Sequence, residues 1–311
     1  MTRSVRRPIR RPIAHSVVDL LTHQVHAERM RVTVRSVWCI WAIPVVFTAV
    51  TYGRLAPADL YRVTHSGIAA GLGRAVLFIN FPLALVAVAL LAVTYDSLTL
   101  HHKKPLAVVS FVLCAAVVVP GVIDQDKLDA RPINAVATLG VALALAMTWS
   151  SPWPGVQISR RGLALGAGLA AVALPWIFAS AGFFLPRGLF MSSELVHEPG
   201  ESTLVPAVHL GDHHGLGSMM LIATALALWS APRLLPRTRG QRVAQAYLAL
   251  MLCYGIANAM QDFWGEQIAN RGWSHWYMPD ATSPGATAMW GLIIVGTIAA
   301  YRMPRRPPSA S

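Results

Sequence analysis

The chain has 311 residues, 55% hydrophobic and only 13% charged, with a formal charge of +12 at pH 7. Water-soluble domains carry about 25% charged side chains, and half that density over this length leaves too few polar groups to cover a solvated surface. The same composition excludes a disordered chain, a coiled coil, collagen and a disulfide-stapled secreted scaffold. The three cysteines, Cys39, Cys114 and Cys253, all fall inside apolar runs and form no C-x-x-C pair, so they read as small core residues.

What remains is an all-α integral membrane protein. Residues 1–35 form a basic arm with five arginines in the first eleven positions. Val17, Val18, Leu21 and Val25 follow at near-helical spacing, which suits a helix lying on anionic inner-leaflet lipid. The plainer reading is a basic tail that only sets topology. The paired arginines resemble a twin-arginine export signal, but the stretch before the first apolar run is long and no A-x-A site follows, so the arm is expected to be retained.

A helix needs about 20 apolar residues to cross the hydrocarbon layer. Runs of about that length occur at residues 37–52, 75–94, 106–123, 133–150, 163–185, 208–230, 243–261 and 286–301. A bundle of about eight transmembrane helices is therefore predicted over residues 36–302, with larger loops at 186–206 and 262–283 and a tail at 303–311. Pro82 and Pro175 are expected to kink the second and fifth runs. Gly162, Gly166 and Ala170 are expected to bring a neighbouring helix close.

Eight spans put both termini on one side. If that side is the cytoplasm, 19 of the 26 lysines and arginines lie in inner segments. The other seven, Arg54, Arg62, Arg74, Lys127, Arg131, Arg187 and Arg271, lie outside. This bias gives an N-in, C-in orientation and a multi-pass protein of the cell membrane. It also removes the case for a nucleic-acid partner, because the positive charge is spent on topology; membrane lipids are the expected partners. Tryptophans cluster towards the inner ends (Trp38, Trp41, Trp149, Trp153, Trp229) and the outer ends (Trp264, Trp273, Trp276, Trp290), as interfacial belts would. Trp176 alone sits in mid-span.

The outer side carries 11 of the 14 acids and six of the 11 histidines. The densest cluster lies at the start of the sixth run: His209, Asp212, His213 and His214. With Pro206 as a first helical residue, His209, Asp212 and His213 would share one face within an arc of about 100°. Two histidines four residues apart on a helix can ligate one ion, and a catalytic site then needs a third ligand such as a carboxylate. Asn258, Asp262 and Glu266 form a polar stripe at the outer end of the seventh run, which should pack beside the sixth as an antiparallel hairpin. Glu194, His197, Glu198, Glu201, Trp273, His275, Trp276, Tyr277 and Asp280 complete an outward-facing cup.

The string His209-x-x-x-His213-His214 resembles one histidine box of the membrane desaturases and hydroxylases. Those enzymes carry two or three boxes on the cytoplasmic side, whereas this chain has one box on its outer side, so the resemblance does not extend to that family. No nucleotide or haem motif is present. The convergence points to a metal-dependent enzyme, a hydrolase or transferase acting on a lipid-like substrate at the outer leaflet. Zinc would be held by His209 and His213 with a carboxylate from Asp262 or Glu266, the other carboxylate acting as general base, and with Asp212, His214 and His275 as further candidate ligands. The alternative is a non-catalytic transporter or assembly protein whose histidine-rich face responds to metal or pH.

Overall fold

The structure, a computed structural model, describes residues 30–56, 62–98, 103–119, 121–122, 128–198, 203–209, 215–235, 239–279, 281 and 287–303. The amphipathic reading of the arm lies outside the described residues, as do the last eight residues of the tail.

Each apolar run carries a helix. The order is α1 (Val34–Arg54), α2 (Gly67–Phe78), α3 (Ala84–Thr94), α4 (Lys103–Ala115) and α5 (Asn134–Thr148), then α6 (Arg160–Val172), α7 (Leu174–Ser180), α8 (Gly215–Ala227), α9 (Arg239–Trp264) and α10 (Thr287–Arg302). By length and composition, four helical stretches among the described residues can cross a membrane: Val34–Arg54, Gly67–Ser97, Gly215–Leu234 and Arg239–Ala269. The pair α6–α7, bent by 62°, makes a fifth if it counts as one span. The remaining apolar helices are shorter; at about 1.5 Å per residue, the 15 residues of α5 reach only about 23 Å of a layer about 30 Å thick.

The expected bend is found at Pro175. Pro82 lies in a π-helical turn, Ile79–Leu83, that joins α2 to α3 without breaking the 31-residue stretch. Pro175 opens α7 at the bend, where its missing N–H costs no hydrogen bond. Helix α1 starts at a reciprocal cap: Thr33 Oγ1 accepts from the Ser36 N–H, and Ser36 Oγ accepts from the Thr33 N–H.

Helix α3 is apolar all round and occupies the centre, with Ala84, Val86, Ala87, Leu90 and Val93 fully buried. It packs on α4, α5 and α9, while α1 pairs with α2, α8 with α9, and α9 with α10. The perimeter is apolar as well. Ile40, Ile43 and Val46 of α1, Val109 and Val112 of α4, and Leu292 and Val295 of α10 are all exposed. A water-soluble protein rarely exposes so much continuous apolar surface; a bundle in lipid does.

Long-range contacts sort into two ends, and the sorting matches the charge bias. At one end the strand Arg31–Val32 (β1) pairs antiparallel with Val156–Gln157 (β2). There Arg35 donates to the Trp149 carbonyl, Ser97 Oγ lies 2.9 Å from Ser151 Oγ, and Gln245 donates to the Tyr301 carbonyl. These contacts link segments that the orientation assigns to the inside. At the other end Arg54 donates to the carbonyls of Ala181 and Gly182, and His65 Nδ1 lies 2.8 Å from Asp129 Oδ1. Partial burial pushes the Asp129 carboxyl up, but hydrogen bonds from His65 and from the Thr64 hydroxyl and amide outweigh it and hold the group below its usual 3.8.

Two packing expectations need correction. Gly166 faces open space, and an added Cβ at Gly162 would meet Ile158 and Ser159 just before its own helix, so this stripe does not seat a neighbouring helix. The close crossing lies instead between α1 and α2, where Gly71 backs onto the Ala49 carbonyl and Gly53 and leaves no room for a Cβ. Trp38 and Trp41, expected in the inner interfacial belt, are turned into the bundle rather than towards lipid. Both are buried, donating to Thr148 Oγ1 and Thr224 Oγ1 at 2.9 Å, because an indole N–H inside the bundle must find a partner.

Candidate functional site

The polar stripe at the C-terminal end of α9 is turned inwards. Asn258 and Glu266 are 1% and 3% exposed, and Asp262 between them is partly buried. Helix α9 continues through a π-helical turn, Gly265–Ala269, that carries Glu266 and Gln267 into the bundle. A π-turn of this kind re-aims side chains that a straight helix would spread around its surface, and such turns are frequent at functional sites.

A buried carboxyl requires donors. Trp176 Nε1, on α7, donates to Glu266 Oε2 at 2.6 Å, and the backbone N–H of His209 supplies a second hydrogen bond. The indole is seated by Gly215, the first residue of α8, where a Cβ would fall 2.6 Å from the ring. Three chain segments thus meet at one carboxyl group.

His209 brings the fourth group. Its Nδ1 lies 3.7 Å from Glu198 Oε1, and its ring hydrogen-bonds the Pro206 carbonyl. Burial is the main influence on this imidazole and lowers its pKa below 6.5; Glu198 and the Pro206 carbonyl oppose the shift, and the charges of Arg62 and Arg74 reinforce it. The ring is therefore neutral at neutral pH. Asn270 Nδ2 donates to Glu198 Oε1 at 3.2 Å and to the Ala207 carbonyl at 3.3 Å, and Tyr277 Oη donates to Asn270 Oδ1 at 3.0 Å. Burial, then the Glu198 charge, raises the Tyr277 phenol above 10.0.

Arginine enters from α2. Arg74, placed by its charge with the outer loops, lies within the helix, 1% exposed, with its guanidinium 5.1 Å from the centre of the Tyr52 ring. The site so combines three carboxyl groups, a neutral imidazole and nearby guanidinium charge.

The sequence expectations fare unevenly. His209, Glu198, Asp262 and Glu266 converge. Pro206 does not start a helix: Val205–Pro206 (β4) pairs with Leu195–Val196 (β3), and His209 is not helical. The strand pairing uses the backbone that a helical start would need, so the same-face argument for His209 and His213 does not apply. Asp212, His213 and His214 lie outside the described residues. His197 and His275 are exposed, and Glu194 pairs with Arg187 at 2.7 Å. Among the described residues, no group of three or more His, Cys, Asp or Glu side chains could hold a metal ion. The described donors do not by themselves fit zinc.

Asn270 and Trp176 also contribute, and both carry a signal in the sequence. Asn270 continues the four-residue spacing of Asn258, Asp262 and Glu266, and Trp176 was the one tryptophan away from either interface. Trp176 also lines an apolar groove of about 340 Å³ with Val172, Met219, Ile256, Met260 and Phe263. Its nitrogen faces the carboxyl and its ring borders the groove, so apolar and polar compartments share one wall. No protein-family model, curated protein or solved structure matches the chain.

Proposed function

We propose that the chain is a multi-pass protein of the cell membrane, with eight spans and both termini in the cytoplasm, that binds a lipid-like molecule at its outer face and acts on it. The observation that carries this reading is the position of Trp176, between the buried Glu266 and an apolar groove large enough for part of an acyl chain. A headgroup would lie against Glu198, His209 and Asp262, and the chain would follow the groove. The grouping of contacts at two ends and the 19-to-7 charge bias support the orientation.

The reaction best supported is proton transfer at the headgroup in a hydrolysis or group transfer. A neutral imidazole can take a proton, and Glu198 beside it stabilises the imidazolium that results. Arg62 and Arg74 place positive charge where an anionic headgroup or transition state would be stabilised. Glu266, held by Trp176, positions the wall of the site. Zinc enters only if His213 or His214 completes the donor set.

The test is consumption of lipid by purified protein in vesicles made from a total lipid extract, read by mass spectrometry. One species should be consumed by the natural chain, and His209→Gln should slow it about 100-fold or more. Undiminished turnover in His209→Gln contradicts the mechanism. Zinc at one per chain, lost in a His209→Ala/His213→Ala variant, would replace acid–base chemistry with the metal reading.

A second reading has its own support. Glu266, Asn270 and Tyr277 all engage groups of the protein itself, so the cluster also works as a latch that fixes the outer loops to α7 and α9. A non-catalytic transporter or assembly protein needs nothing more, and the absence of any lipid consumption by the natural chain would favour it.

A further inference from the structure

The opposite, basic end of the bundle holds a second groove, remote from the Glu266 cluster. It measures about 260 Å³ and lies between α3, α4 and α9, with Val88, Leu91, Val108, Phe111, Val243 and Tyr247 among its walls. Its mouth is formed by Tyr95 and Asp96, which follow α3, and by Gly240 near the start of α9. The walls are apolar and the mouth is polar, which is the profile of a phospholipid.

Charge at the mouth identifies the headgroup. The Lys104 ammonium sits 5.6 Å from the centre of the Tyr95 ring, so the cation is held at the opening. Lys104 precedes the wall residue Val108 by four positions on α4, and Arg239 precedes Val243 by four on α9. Residues four apart on a helix share a face, so each basic side chain stands one turn above an apolar wall residue. Both are exposed. Asp96 is the acid among the groove's lining residues; it would repel a bare phosphate but can accept from a headgroup hydroxyl.

We propose that this groove binds an anionic phospholipid of the inner leaflet, of the phosphatidylglycerol type. Its phosphate lies between Lys104 and Arg239, a headgroup hydroxyl donates to Asp96, and one acyl chain fills the groove. Basic pockets between helices on the cytoplasmic side are a recurrent form of lipid recognition. The bound lipid would wedge α4 against α9. This site shares no residue with the outer cluster, and it is read by lipid retention rather than consumption, so the two proposals fail independently.

The experiment uses the full chain purified in micelles doped with equal phosphatidylglycerol and phosphatidylcholine, with the retained lipid counted by mass spectrometry after washing. The natural chain should retain phosphatidylglycerol in preference to phosphatidylcholine. K104Q/R239Q should lower that preference roughly 25-fold, since each basic group near a membrane surface contributes about fivefold. V108W, which fills the groove from a position 52% exposed and so should not disturb folding, should lower phosphatidylglycerol retention as well. A preference that survives both variants overturns the site. So does displacement of the lipid by water-soluble glycerophosphoglycerol at equal concentration, which would show that the headgroup alone is bound.

Discussion

Glu266 and Trp176 show what one buried pair does in this protein. The carboxyl is 3% exposed and accepts from Trp176 at 2.6 Å, so Trp176→Phe removes a donor and leaves a buried acceptor poorly satisfied. The expected loss is about 1–3 kcal/mol, read as a lower melting temperature in detergent. Trp176→Phe/Glu266→Gln should cost less than the two single changes combined, because both act on one contact. Additive losses would show that the contact contributes little. His209 gives a prediction in pH. Burial depresses its folded-state pKa below 6.5, so the unfolded chain binds its proton first as pH falls. Stability should be flat in this group above pH 6.5 and should decline below it until the folded-state pKa is reached. His209→Gln should remove that decline; an acid limb unchanged by the substitution would mean that another group causes it. At this scale the sequence was partly legible. The four-residue spacing of Asn258, Asp262 and Glu266 located the stripe, but spacing alone could not show that strand pairing at Val205–Pro206 pulls His209 out of helix.

Among the elements, close packing and bends are set by a few small or rigid residues. Gly71 leaves α1 and α2 in contact through backbone, so Gly71→Ala should destabilise by about 1–3 kcal/mol through overpacking. Gly166→Ala, which meets open space, should lie within about 0.5 kcal/mol of neutral. The reverse order in a thermal-melt comparison would refute the packing. The small-residue stripe in α6 and the glycines of α1 and α2 look alike in sequence. Only tertiary placement shows that the first borders an apolar groove, lined by Gly166, Ala170 and Leu216, while the second is a crossing point. The bend at Pro175 was legible because a missing N–H acts locally. Trp38 and Trp41 were not, because an indole at a helix end suits a lipid interface or a buried hydroxyl partner equally well.

For the whole molecule, the apolar runs and the charge bias made the helical membrane architecture readable in advance. In the proposed orientation the basic residues gather at the cytoplasmic end, and the contacts between Arg31–Val32 and Val156–Gln157 and between Gln245 and Tyr301 link segments assigned to that end. Single cysteines introduced in a cysteine-free background should report it directly. Asp96→Cys and Arg233→Cys should react with an impermeant thiol reagent only from the cytoplasmic side, and His65→Cys and Trp273→Cys only from outside. Labelling of all four from one side would exclude the eight-span arrangement. The proposed handling of lipid at the outer face is tested most directly by turnover in sealed proteoliposomes of known orientation. Substrate lipid is confined to one leaflet and its consumption is followed by mass spectrometry. Lipid in the leaflet facing His209 and Glu198 should be consumed while lipid in the opposite leaflet persists; consumption confined to the opposite leaflet, or none in either, would contradict the account.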